Sequence, residues 1–263
     1  MISAASGLIL KNEQFYVIAD DELFAVALDK KDFETAKTIP LFSGALSEEL
    51  KLRKQQKPDL ECIVELPSGD ILCIPSGSEL NRHQGVLISG VDSSVKSISF
   101  KSLYSELRKS FSELNIEGAV IVDQWLRLFQ RGNGKKNQNG TVDINFQDLL
   151  MGKVTISFVK HMELGKHNGA NLSFTDATLH NNKIYFLAVA EACESTYLDG
   201  EFKGSALGLM DLKGKIIGME LLNLKNKPEG LCTDNDSFYI VTDDDDRTKA
   251  AQLFKGKIPP LKV

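Results

Sequence analysis

The chain has 263 residues, a formal net charge of −5, 42% hydrophobic and 25% charged residues, and 20 Gly against 7 Pro. These proportions describe a folded, turn-rich chain, and the dispersed lysines argue against the dense cationic face that nucleic acid or an anionic membrane demands. No apolar stretch reaches the roughly 18 residues of a membrane span. The start, MISAASGLIL, lacks the positive region of a secretory signal, so a cytoplasmic location is expected.

From the N-terminus, SGLIL, QFYVIAD, ELFAVALD and TAKTIPLF read as four successive strands of one meander ending at Phe42. Ser47 to Gln55 then shows helical spacing. CIVEL, DILCIPS, GVLISGV and SVKSISF repeat the four-strand order, with Pro67-Ser68-Gly69 at the expected turn. A second helical excursion, Ser102 to Leu114, carries Leu103, Leu107, Phe111 and Leu114 on one stripe. The third unit has AVIV, WLRLFQR, TVDINF and VTISFVKHMEL, with Trp125 expected to pack between units and Gly132 to Gly140 as an exposed loop. The fourth has DATLH, KIYFLAVAE, SALGLMD and IIGMELL, and the fifth GLCT, FYIVTD and AAQLFKG.

The units open at Ser6, Glu61, Glu117, Asp176 and Glu229, a period of about 55 residues, which for strand-rich units signals propeller blades. The expected fold is therefore all-β, one five-bladed β-propeller over residues 1–263 with two short helical excursions. Its blades run approximately over 6–60, 61–116, 117–175, 176–228 and 229–263. The fifth lacks room for a full fourth strand, so residues 1–5 are expected to pair with it and protect its edge. Cys62, Cys73, Cys193 and Cys232 form no CxxC pair and read as reduced structural thiols, with zinc ligation the remote alternative.

Innermost strands line a propeller's channel, so Ser6, Glu61, Glu117, Asp176 and Glu229 are expected to converge. Ionised carboxylates roughly 6 Å apart repel by about 3 kcal/mol at an effective dielectric near 20, so a cation, protonation or a basic side chain must intervene. Calcium suits such an oxygen-rich ring, and the absence of histidine from it disfavours transition metals. A water or side-chain network without metal is the alternative. Strand two returns antiparallel to the same mouth, bringing Asp20, Ser76, Arg131, Glu191 and Asp243 beside the ring, with Arg82, His83 and Asn133 near them. This mixture of signs is that of a small-ligand site. Elsewhere there is no GxSxG, and GNGKKNQNG lacks phosphate-loop spacing.

KPDLE (57–61), NIEGA (115–119), LRLFQRGNG (126–134), FTDAT (174–178), YLDGEFKGSALGLMD (197–211), KPEGL (227–231) and VTDDDD (241–246) together resemble a bacterial β-propeller family of unknown function. That family is related to the phytase-like and SdiA-regulated propellers, and the resemblance covers nearly the whole chain. Ala190-Glu191-Ala192-Cys193 stands where the family pattern has Ala-Glu-Asp-Thr, so no acidic residue follows Glu191. A looser similarity to calcium-dependent five-bladed nucleotidases implies an ion in the channel. The gluconolactonase group shares an EG-initiated strand followed by one ending in Asp, here Glu229-Gly230 and Asp243.

The expected function is a calcium-dependent hydrolase of a small phosphorylated or lactone-type metabolite. Ser6, Glu61, Glu117, Asp176 and Glu229 would hold the ion, and Glu191 or Asp243 would take a proton. Arg131 or Arg82 would neutralise an anionic group, with Asn133 and Asp20 binding substrate. The alternative is a non-catalytic propeller whose ion or water network stabilises the ring while a face binds a small ligand or a protein.

Overall fold

The computed structural model describes residues 2–192, 200–243 and 246–259, and Cys193 lies outside them. The strands form five antiparallel meanders. Blade 1 is β1 (Ala5–Lys11), β2 (Gln14–Ala19), β3 (Phe24–Asp29) and β4 (Thr35–Pro40), followed by helix α1 (Leu50–Gln56). Blade 2 is β5 (Leu60–Glu65), β6 (Ile71–Pro75), β7 (Gln84–Ile88) and β8 (Val95–Ser99), followed by α2 (Lys101–Leu107). Blade 3 is β9 (Ile116–Val122), β10 (Trp125–Gln130), β11 (Asn139–Asn145) and, after helix α3 (Phe146–Leu150), β12 (Ile156–Met162).

Blade 4 starts with a short β13 (Lys166–His167) and continues through β14 (Ala170–His180), β15 (Lys183–Ala192), β16 (Glu201–Met210) and β17 (Ile216–Leu222). Blade 5 has three strands, β18 (Lys227–Asp234), β19 (Ser237–Asp243) and β20 (Leu253–Lys257). The innermost strands β1, β5, β9, β14 and β18 touch in cyclic order around the channel. The protein is thus an all-β, five-bladed propeller. The third helix is additional to the two expected, and Asn145 caps it by accepting the Asp148 amide at 3.0 Å. No helix among the described residues is long and apolar enough to cross a membrane.

The alternation of apolar side chains along each strand covers both faces of every blade, and the buried residues separate into five clusters, one per seam between neighbours. Ile18, Ile39, Ile63 and Val86 join blades 1 and 2. Leu72, Phe100, Leu126 and Val142 join blades 2 and 3, together with Leu103, Tyr104 and Leu107 of α2. Phe129, Phe174 and Phe186 stack edge to face between blades 3 and 4. Leu187, Leu207 and Ile240 fill the next seam, and Leu8, Phe15, Cys232 and Tyr239 the last. The helix α2 is therefore part of a seam. Trp125, expected to pack between units, lies half-buried at the start of β10, paired with Val122 and Asn145 and outside these clusters. Cys62, Cys73 and Cys232 are buried thiols without disulfides.

Where the ring closes, Ala4 forms an antiparallel bridge with Asp243, and the Ala251 amide donates to the Ile2 carbonyl at 2.8 Å. The segment before β1 therefore lies against the end of blade 5.

Candidate functional site

Every innermost strand skips one residue in its pairing with the second strand. Ala5 and Gly7 pair with Ala19 and Ile18, leaving Ser6 out. The same irregularity leaves out Glu61, Glu117, Thr175 and Glu229. A bulge frees a side chain from the strand's alternation and re-aims it, here at one rim of the channel. The ring is thus built on bulges. In blade 4 its member is Thr175, one residue before the expected Asp176.

The two hydroxyls do the same job. Ser6 Oγ donates to the Leu60 carbonyl at 2.5 Å, and Thr175 Oγ1 donates to the Pro228 carbonyl at 2.8 Å, each reaching the residue before the next blade's bulge. Ser6 is therefore engaged as an inter-blade link. Asp176 occupies the position held by glycine in blades 1, 3 and 5. The inner strands crowd there: a Cβ on Gly118 would lie 3.0 Å from the Ala177 amide nitrogen. Its Oδ1 accepts the Ala177 amide at 2.7 Å and its Oδ2 the Leu231 amide at 2.6 Å, tying blade 4 to blade 5. Burial pushes its carboxyl well up despite these bonds. Asp176 is absent from the lining of the mouth, so the expected metal ligand is instead a buried clamp below it.

On the side of blades 3 to 5, three glutamates surround one guanidinium. Arg131, directly after β10, reaches Glu117 at 3.2 Å and Glu229 at 3.5 Å through Nη1, and Glu191 at 2.5 Å through Nη2. Lys227 lies 2.9 Å from Glu229 and 3.7 Å from Glu191. Asn115 donates from Nδ2 to Glu117 at 2.6 Å and to Asn133 at 3.4 Å. Burial is the main force on Glu117. Glu229 adds to it, Arg131 and Lys227 oppose it, and the carboxyl is pushed up to about 8. Burial likewise raises Glu229. Glu229 Oε2 and Arg131 Nε are buried without a hydrogen-bond partner.

On the side of blades 1 and 2 the carboxylates are Asp20, Asp59 and Glu61, each offering an oxygen within 4.8 Å of the others. Asp59 is saturated: Lys57 approaches Oδ1 at 2.9 Å, Arg82 donates to Oδ2 at 2.9 Å, and Ser78 and Ser76 donate to the same oxygen. Burial opposes its ionisation, but Lys57 and Arg82 outweigh it and the carboxyl lies below its usual range. Lys57 also bonds Asp20 Oδ2, while Oδ1 is buried and without a partner. Burial, then Glu117, Asp59 and Asp20, push Glu61 well up. Fully ionised, the six carboxylates would exceed the four cations by one charge on each side, an imbalance that protonation of Glu61 and Glu117, both pushed up by burial, or a bound cation would relieve.

Ser6, Asp20, Glu61, Arg82, Glu117, Arg131, Asn133, Glu191, Glu229 and Asp243 line one cavity of about 350 Å³ at this mouth. Both arginines expected to neutralise an anion have their guanidinia committed to carboxylates. Helix α1 forms part of the wall, held by Arg53 on Asp21 at 3.0 Å. Lys57, Asp59, Asn115 and Lys227 were not legible as site residues. Asp59, Asn115 and Lys227 each stand two before a bulged glutamate, so the recurrence of a polar residue at that offset is the signal that would have found them.

Solved structures match this chain at low identity. Myxococcus xanthus glutaminyl cyclase has a TM-score of 0.54 at 9% identity, covering 90% of this chain and 85% of that one. A luciferin-regenerating enzyme has a TM-score of 0.48 at 10% identity, covering 92% and 71%. Virginiamycin B lyase from Staphylococcus aureus has a TM-score of 0.41 at 10% identity, covering 92% of this chain but 64% of its own length. No curated protein matches the sequence. A family model, the family of unknown function DUF6929, matches residues 1–258, and the chain belongs to that family.

Proposed function

We propose that the propeller is a calcium-dependent hydrolase of a small phosphorylated or lactone-type metabolite, acting at the polar mouth of its channel. The observation that carries this reading is the Asp20, Asp59 and Glu61 cluster, in which an ion would take the place that Lys57 holds between Asp20 and Asp59. Its oxygens lie within 4.8 Å of one another, and Asp20 Oδ1 is buried without a partner. Calcium accepts such loosely arranged oxygens and completes its shell with water. Bound there, it would polarise a substrate oxygen and lower the pKa of a coordinated water. Arg131 and Lys227 hold Glu191 at the edge of the cavity, where its carboxylate is the candidate proton acceptor, with Asp243 beside it. Asn133 contributes a polar group for orienting a ligand, and Arg82, held on Asp59, adds positive charge to the wall.

A second reading has its own support. Lys57 already bridges Asp20 and Asp59, supplying part of the positive charge that an ion would bring. This favours a non-catalytic propeller whose network stabilises the ring while the mouth binds a ligand. Calorimetric titration of chelator-stripped protein with calcium, with magnesium as control and melts in parallel, tests the first reading. About one calcium bound, a raised Tm, and loss of both in Glu61→Gln are expected. Absence of saturable binding in the wild type would sink the metal site. Binding with a raised Tm but no turnover of phosphoesters or lactones would favour the second.

A further inference from the structure

Lys57 directly follows α1 and holds Asp20 and Asp59 together, approaching Asp59 Oδ1 at 2.9 Å, at the place an ion would take. With that ion bound, the charges on this side of the mouth change. Ionised, Asp20, Asp59 and Glu61 supply three negative charges, a calcium ion and Arg82 supply three positive ones, and the Lys57 ammonium is left over. We infer that Lys57 is the anion-binding residue of the ion-loaded site: displaced from Asp20 and Asp59, its ammonium turns into the mouth and holds the phosphate group of the ligand. The inference rests on the calcium-dependent reading above and selects its phosphorylated substrate class over the lactone.

The side chain is free to move where the backbone is not. The Lys57 amide closes α1 on the Arg53 carbonyl at 2.8 Å, Arg53 holds Asp21 and Glu22 at 3.0 Å each, and Asn81 and Arg82 donate to the carbonyls of Gln55 and Lys54 at 3.2 Å. None of these contacts uses the Lys57 ammonium, so the helix stays anchored when the ammonium leaves. Lysine carries its charge on a flexible four-carbon stem and binds phosphate as a point charge, and Lys57 already lines the cavity of about 350 Å³. The other cations of that wall are engaged: Arg53 and Arg247 with Asp21, Arg82 with Asp59, Arg131 with its three glutamates and Lys227 with Glu229, while Lys54 also has a partner. An ion that takes Asp20 and Asp59 therefore releases a cation that the mouth otherwise lacks. An order of binding follows, ion first and anionic ligand second.

The test reads Lys57 itself. Chelator-stripped and calcium-loaded protein are acetylated briefly with an activated ester, and the extent at Lys57 is followed by peptide mass spectrometry, with the exposed Lys51 as internal reference. Labelling of Lys57 relative to Lys51 is expected to rise severalfold with calcium and to fall again when phenylphosphonate, an anion with no ester to hydrolyse, is added. Calorimetric titration with phenylphosphonate is expected to show saturable binding to loaded protein and none to stripped protein. Lys57→Met should weaken that binding at least about tenfold, the loss for a hydrogen bond to a charged group, while calcium still binds, and Lys57→Arg should retain more of it. Calcium binding with unaltered Lys57 labelling, or equal phenylphosphonate binding by loaded Lys57→Met, would overturn the inference and leave the metal site standing. Absence of calcium binding by the wild type would sink both.

Discussion

The two sides of the mouth solve the same electrostatic problem differently. Around Arg131, three glutamates share one guanidinium and an ammonium in one closed set of ion pairs, in which Glu229 Oε2 and Arg131 Nε still lack a hydrogen-bond partner. Around Lys57, Asp59 is saturated while Asp20 keeps a buried, partnerless oxygen and Glu61 is pushed well up by burial and by its acidic neighbours. Each side sets three carboxylates against two cations, so the difference lies in how the cations are shared. Arg131 reaches all three of its glutamates, whereas Lys57 and Arg82 converge on Asp59 and leave Glu61 in no ion pair among the described residues.

Arg131→Met attacks the closed side and should have the largest effect. It strands Glu117, Glu191 and Glu229, for an expected loss of about 3–5 kcal/mol in urea unfolding, the range for breaking a buried pair. A loss under about 1 kcal/mol would show that the network is not what holds this side.

The pH dependence sharpens the comparison next. Glu117 titrates near 8 in the folded chain against an ordinary 4.5, so the folded state binds the extra proton between those values. Its stabilising contribution is complete below about 4.5 and is lost as pH rises through about 8. The melting temperature of stripped protein should fall across that window, and Glu117→Gln should flatten the fall. An unchanged slope in the variant would remove Glu117 as its source.

Glu61→Gln probes the open side with a smaller effect on stability. Removing one of three crowded carboxylates should raise the stability of stripped protein by about 1 kcal/mol while abolishing calcium binding. A destabilised variant would mean that Glu61 is structurally engaged. The smallest effect belongs to Ser6→Ala and Thr175→Ala. Each removes one inter-blade hydrogen bond, for about 1 kcal/mol, with calcium affinity unaltered.

The blades were legible because their signal is collective: paired apolar runs of strand length recur across the chain, and any single misread residue is outvoted. The bulges were not legible, since skipping one residue leaves no mark on composition. Asp176 shows the consequence. A carboxylate at the start of an apolar run looked like the partner of Glu117 and Glu229, whereas pairing puts Thr175 in that place and turns Asp176 onto two backbone amides. Helix α3 overlaps the strand reading only at Phe146 and otherwise falls in the short gap, residues 147–153, left between two strands, where five residues are too few for a helical period to show. Glu61, Glu117 and Glu229 were read as ring members, and Glu191, Arg131 and Asp243 at the mouth, because strand starts and ends must meet at one rim. Lys57 and Lys227 precede the strands' apolar runs, where no periodicity points inward.

The seam clusters also set an order in time. Four seams join consecutive blades, so their partners come together across short spans of chain. The last joins Ala5, Leu8 and Phe15 to Cys232, Tyr239 and Val241, from opposite ends of the sequence. Bringing such distant segments together carries a larger loop-closure entropy, although the cost grows only with the logarithm of the span. The ring is therefore expected to assemble as an arc and to close at that seam, which late protection of β1 and β18 in hydrogen exchange during refolding would register. Opening of the same seam would separate Glu229 and Asp243 from Ser6 and Asp20.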